Sequence, residues 1–160
     1  MDNNEIWVYV ETVGSRIEPT SLQLITKAKA IADGRKVVAV LPEASTIKAE
    51  NSLQAYGPDR VETLVDDHFT NATDEEIADA LFQVLDQNRP NSLLFPATIL
   101  GRSIAPRLQA KLQTGLTGDC LDIFYENDLL VQVKPTYGDN VMCDIVCPEN
   151  RPQIVTVRPN

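Results

Sequence analysis

The chain is poor in imidazole and in thiols. One histidine, His68, and three cysteines, Cys120, Cys143 and Cys147, are spread through 160 residues without paired metal-type spacing, which argues against a zinc site. An odd set of cysteines so placed reads as reduced thiols acting as small apolar side chains. Positive charge is scarce as well: 14 Lys and Arg against 23 Asp and Glu give a net charge of -9. No Lys/Arg cluster supplies the footprint that a phosphate backbone needs, so nucleic acid is excluded as a partner. No apolar run approaches the roughly 20 residues of a membrane span, and Met1-Asp2-Asn3-Asn4-Glu5 lacks the basic start of a secretion signal. The expectation is a soluble, cytoplasmic protein with no membrane insertion. No Gly-x-Gly-x-x-Gly follows a strand pattern, and the usual dinucleotide fingerprint is therefore missing. Internal repeats and low-complexity tracts are absent too.

What is present is an alternation of two patterns over a length that suits one domain, residues 1–160. Ile6-Trp7-Val8-Tyr9-Val10, Val37-Val38-Ala39-Val40-Leu41, Val61-Glu62-Thr63-Leu64-Val65 and Leu93-Leu94-Phe95 are short, largely apolar runs, as parallel strands covered on both faces tend to be. Between them, Leu24, Ile25, Ala28, Ile31 and Ala32 share a helical face that stops at Gly34. A weaker helical pattern runs from about Ala44 to Tyr56 and meets Gly57-Pro58. Thr73-Asp74-Glu75-Glu76 fits a capping box, with Thr73 accepting from the Glu76 amide and Glu76 reaching back, ahead of Ile77, Leu81 and Leu85. This order predicts a three-layer α/β/α domain with a mainly parallel, doubly wound sheet through about residue 112. Antiparallel β segments are expected after it. Leu121–Tyr125 and Leu129–Val133 flank the turn Glu126-Asn127-Asp128; Val141–Cys147 follows, and Gln153–Val157, bracketed by Pro152 and Pro159, ends the domain.

Chemistry-bearing residues concentrate where strand Leu93-Leu94-Phe95 gives way to a helix. Pro96-Ala97-Thr98-Ile99-Leu100-Gly101-Arg102-Ser103-Ile104-Ala105-Pro106-Arg107 is followed closely by Thr114-Gly115-Leu116-Thr117-Gly118-Asp119-Cys120. Unpaired amides at a helix start, with a guanidinium beside them, suit an anion. Gly101 permits close backbone approach, and Thr98, Thr114 and Thr117 offer hydroxyls to a phosphate or ribose. The structural reading stands beside this one: Arg102 pairs with Asp119, and the threonines cap a helix, satisfy a buried loop or line a subunit contact. Neighbouring Glu75-Glu76 and Asp66-Asp67 point apart on regular backbone and read as capping and solvated charge. His68 reads as a surface histidine, because no oriented nucleophile accompanies it.

Seven collinear blocks resemble the N-terminal domain of the electron transfer flavoprotein alpha subunit. They are Ile6-Trp7-Val8-Tyr9-Val10-Glu11, Ala55-Tyr56-Gly57-Pro58-Asp59-Arg60-Val61, Leu94–Arg102, Ala105-Pro106-Arg107-Leu108, Thr114–Cys120, Lys134–Asn140 and Arg151–Pro159. Asp139 and Asn160 depart from the family, which usually has glycine at both. The resemblance implies a scaffold domain that packs against a beta subunit and helps set how a mobile flavin domain meets flavin dehydrogenases of the acyl-CoA type. It also implies that the principal flavin adenine dinucleotide (FAD) site lies in a following α/β domain, outside this chain, so the chain is expected to hold no flavin itself. Whether truncated by engineering or a natural fragment, it is expected to expose surface that its partners cover, and self-association is then plausible. An electron-carrier fragment rather than an enzyme is the favoured reading. A free-standing adenine-nucleotide module resembling universal stress proteins is the alternative, although their glycine-rich phosphate loop is not found. A hydrolase or transferase is disfavoured for want of a nucleophile with a base.

Overall fold

A computed structural model describes residues 3–138 and 140–159. Met1, Asp2, Asp139 and Asn160 lie outside the described residues, and with them both departures from the family pattern. Six strands form the central sheet: β1 (Ile6–Tyr9), β4 (Val37–Glu43), β5 (Arg60–Val65), β6 (Ser92–Pro96), β7 (Leu116–Cys120) and β11 (Gln153–Val157). Their order is β5-β4-β1-β6-β11-β7, and every pairing is parallel. Two small antiparallel units complete the strands: a hairpin of β2 (Thr12–Val13) and β3 (Arg16–Ile17), and a sheet of β8 (Asp122–Glu126), β9 (Leu129–Thr136) and β10 (Val141–Ile145).

Period-two alternation explains the layering, since both faces of the central strands are apolar. Ile6, Val8 and Val10, with Val37, Ala39 and Leu41, face one layer, which holds α1 (Pro19–Ile31) and residues of β8 and β9. Trp7, Tyr9, Val38, Val40, Leu93 and Phe95 face the other, built from α3 (Asp74–Gln87) and α4 (Ile99–Leu112). Each large side chain so buried contributes about 1.5–3 kcal/mol relative to exposure. Helix α1 opens on Pro19 and is capped by the Glu18 carboxylate, which accepts from the Thr20 amide at 2.7 Å.

Several expectations meet a more detailed reality. The weak pattern at Ala44–Tyr56 yields only a short helix, α2 (Glu50–Leu53), and a 3-10 turn (Gln54–Tyr56) that closes on Gly57 at φ +74°. Thr73 caps α3 as read, accepting from the Glu76 amide at 3.2 Å. The Glu76 carboxylate, however, contacts the exposed His68 ring. Asp66 caps a 3-10 turn (Asp67–Thr70). The predicted turn is a two-residue hairpin, with Asn127 at φ +56° between Glu126 and Leu129. Strand β11 does not simply end the domain: it enters between β6 and β7, and all five of its residues are buried.

The amino ends of the sheet are held by buried polar groups. Asn91 Oδ1 accepts from Ser92 Oγ (2.9 Å), Tyr125 Oη (2.8 Å) and Gln153 Nε2 (3.0 Å), while Asn91 Nδ2 donates to Asp128 Oδ1 at 2.7 Å. Gln153 Oε1 accepts from the Leu130 amide at 2.9 Å. Arg35 lies over the Tyr125 ring, 3.8 Å from its centroid, and donates to the Asn127 carbonyl at 2.7 Å. The β8–β9 hairpin is thereby fixed to the central sheet. Gln153→Leu would strand the buried Leu130 amide and one acceptor position on Asn91. Each orphaned group costs about 1–3 kcal/mol, so urea unfolding should show a loss of at least that size.

Candidate functional site

In an open α/β sheet, ligands sit outside the carboxyl ends of the strands where the strand order reverses. Here β1 leads through α1 to β4 on one side, whereas β6 leads through α4 to β7 on the other. The crevice between the ends of β1 and β6 is therefore the expected place. Two residues meet in it. Glu11, just past β1 and 9% exposed, takes the Thr98 hydroxyl on Oε2 at 2.5 Å. Thr98 is the N-cap of α4 and accepts the Gly101 amide at 3.0 Å.

This arrangement places the protein's own carboxylate beside a helix N-terminus. The first turn of α4 carries no acidic side chain, so its positive end is answered from across the crevice. Burial pushes the Glu11 carboxyl up, the Thr98 hydrogen bond opposes that, and the Glu18 charge adds to the rise. Gly101 is required for packing. A Cβ there would lie 2.0 Å from the Pro96 carbonyl oxygen, so the glycine lets the helix start sit directly on the end of β6. The Glu11 carboxylate therefore sets a negative charge at the helix start, where it would repel a phosphate brought to the same amides.

The remaining sequence candidates do not gather around the same point. Arg102 Nε lies 3.1 Å from Asp119 Oδ1, confirming the pairing, but the donor is off axis and this buried oxygen has no aligned hydrogen bond. Asp119 sits at φ +59° and its amide donates to Thr156 Oγ1 at 2.7 Å. The pair borders a cavity of about 230 Å³ with Pro106, Leu116, Gly118 and Thr156. Thr114 lies at the opposite, amino end of the sheet, where its hydroxyl donates to the Pro152 carbonyl at 2.8 Å. Thr117 is buried within β7. The six residues thus divide among a helix cap, a side groove and structural ties.

Sequence reading missed two acids. Glu11 carries a weak signal, an acid directly after an apolar strand. Glu43 ends β4 and is 3% exposed, bordering a cavity of about 250 Å³ shared with Thr12, Thr46, Ile47 and Phe69. Its Oε2 accepts from the Ala49 amide at 3.1 Å. Burial foremost, then a hydrogen bond with the Glu50 carboxylate, pushes the Glu43 carboxyl up to about 7, while the same bond holds Glu50 low. Of the two, Glu43 is the one that keeps a proton to higher pH.

An open, parallel six-strand sheet with helices on both faces defines a doubly wound α/β domain, and Glu11 and Thr98 are joined across its switch point. The chain belongs to the electron transfer flavoprotein family: the model of the Electron transfer flavoprotein domain matches residues 6–160. It is 36% identical over 162 residues to an electron transfer flavoprotein subunit alpha of Thermoanaerobacterium thermosaccharolyticum, covering 99% of this chain and 49% of that protein. It is 37% identical over 156 residues to the lactate dehydrogenase (NAD(+),ferredoxin) subunit LctC of Acetobacterium woodii, covering 96% of this chain and 37% of that protein. Protein FixB of Bradyrhizobium diazoefficiens is 34% identical over 160 residues, with coverages of 96% and 43%. The chain spans about half the length, or less, of these curated relatives.

Two outcomes test the site. Gly101→Ala forces the helix off the strand end, an overpacking that costs about 1–3 kcal/mol or more, measurable by chemical denaturation. Glu43 has a folded-state value of about 7 against an ordinary 4.5, so its contribution to stability is complete below about pH 4.5 and is lost as pH rises through 7. Glu50, held low, opposes this below pH 4.5. The parent should lose stability between pH 5 and 8 relative to Glu43→Gln, in urea titrations at several pH values.

Proposed function

We propose that this chain is the N-terminal scaffold and subunit-contact domain of an electron transfer flavoprotein alpha subunit. The observation that carries the proposal is the Glu11 carboxylate at the start of α4, a negative charge where an anionic ligand would otherwise meet the helix, in a chain of this family. In this reading the domain positions the redox machinery and does not hold it. FAD is held outside this domain. The complete protein pairs with a beta subunit and carries electrons from flavin dehydrogenases in the cytoplasm. The acyl-CoA type is proposed from the alpha-subunit resemblance, and fatty acid oxidation with it; the LctC relative makes a lactate-oxidising system the alternative.

The carboxyl end of the sheet suits a contact role. Ile99 is 92% exposed at the first position of α4, Val13 is exposed in β2 beyond the end of β1, and Val65 is exposed at the last position of β5. A second reading, an adenine-nucleotide module, is favoured by the cavity beside Glu43 at the ends of β1 and β4.

One set of measurements separates the two. The purified chain should be colourless and show no calorimetric heat with FAD, AMP or ATP, yet co-elute with a family beta subunit; Ile99→Asp should abolish co-elution while changing stability by no more than about 0.5 kcal/mol. Tight ATP or AMP binding without beta-subunit association would establish the nucleotide module, and stoichiometric flavin would sink the scaffold reading.

A further inference from the structure

Strand β7 ends the central sheet and pairs on one side only, with β11. Gly115 turns its carbonyl to the Ile154 amide, so by strand alternation Leu116 turns its own amide and carbonyl to the open side. The far half of the strand is protected: Asp119 at φ +59° and a register shift opposite Val155–Val157 bend it away. The near half, Gly115–Thr117, carries no proline, lysine or bulge.

A cavity of about 290 Å³ runs beside this near half, between it and the segment from Ile145 to Asn150. Its floor is closed where Cys147 Sγ comes within 3.0 Å of the place a Cβ on Gly115 would occupy. Gln132 of β9 lines the same cavity. Its side chain is 1% exposed, yet neither Oε1 nor Nε2 has a hydrogen-bond partner among the described residues. A buried primary amide with both ends unpaired is costly, and it presents one donor and one acceptor side by side. A peptide group is complementary to that pair. Among the residues lining the cavity Glu149 is the sole charged one, and the whole chain is acidic.

We propose that the β7 edge and Gln132 form a binding site for a short extended segment of another polypeptide, flanked by lysine or arginine. The segment adds a strand alongside Leu116, one of its peptide groups engages the Gln132 carboxamide, and its basic flank meets Glu149. Ile145, Val146 and Pro148 receive its apolar side chains. This site is separate from the crevice at Glu11 and Thr98 and from the exposed apolar residues at the carboxyl end.

The test titrates acetyl-Lys-Val-Thr-Val-Lys-amide into the isotope-labelled chain and follows the Gln132 carboxamide and Leu116 amide signals by NMR. Both should shift together, saturate, and exchange more slowly with solvent. Gln132→Leu, which removes the orphaned amide, and Val146→Arg, which charges an exposed wall, should each weaken binding about tenfold while melting no more than a few degrees below the parent. The counterpart acetyl-Glu-Val-Thr-Val-Glu-amide should bind weakly by the same measure. Absence of any shift up to the solubility limit of the basic probe would overturn the proposal, as would equal binding of the acidic one. Shifts that follow protein concentration without probe would assign the edge to a second copy of the chain and overturn it equally.

Discussion

A carboxylate held against the start of a helix organises the carboxyl end of this domain. Glu11 and Thr98 follow paired strands whose crossovers leave in opposite directions, and their hydrogen bond ties the two halves of the winding at the carboxyl end, beyond the backbone ladder of β1 and β6. The hydroxyl works twice, donating to Glu11 and accepting the Gly101 amide, so the cap of α4 and the crevice closure are one arrangement. Gly101 permits it by letting the helix start rest on the Pro96 carbonyl. Removing the side chain of either partner would leave the other half-buried and unanswered, which is why this tie counts for more than an exposed ion pair such as Arg60 with Glu62.

The two ends of the sheet are consequently built in different ways. At the amino end Asn91, Gln153 and Tyr125 form a shared polar network that locks the β8–β9 hairpin, and Arg35 stacks over it. The carboxyl end instead combines the Glu11–Thr98 closure with an acid, Glu43, whose carboxyl is pushed by burial up to about 7, and exposed apolar residues. In a family of electron carriers, a domain with one end fixed internally and the other turned outward suits a part whose work is to hold other parts in place.

Much of the fold was legible because its strands obey simple rules. Unbroken apolar runs in Ile6–Val10 and Val37–Leu41 announce two covered faces, Thr73 announces a cap, and Asn127 between two β runs announces a hairpin. Strand β7 was not legible as a strand: Leu-Thr-Gly-Asp-Cys is half polar and contains a glycine, and only its pairing with β11 makes it part of the sheet. The site was less readable still. Thr98 was recognisable as a helix cap, but its partner Glu11 lies 87 positions away in sequence, and no local pattern encodes that distance. Arg102 and Asp119 were paired correctly from chemistry alone, whereas Thr114 and Thr117 were grouped with them by nearness in sequence and lie elsewhere because β7 carries the chain from one end of the sheet to the other.

The interior position of β11 also sets a schedule. The last of the six strands in chain order occupies an interior slot, so β7 has no sheet neighbour, and the inner edge of β6 stays bare, until Gln153–Val157 has been made. Everything from β1 to α4 can collapse earlier, around β1, β4 and β6. Pairing of β11 with both β6 and β7 then joins the four-strand platform to the edge strand, a contact late in chain order.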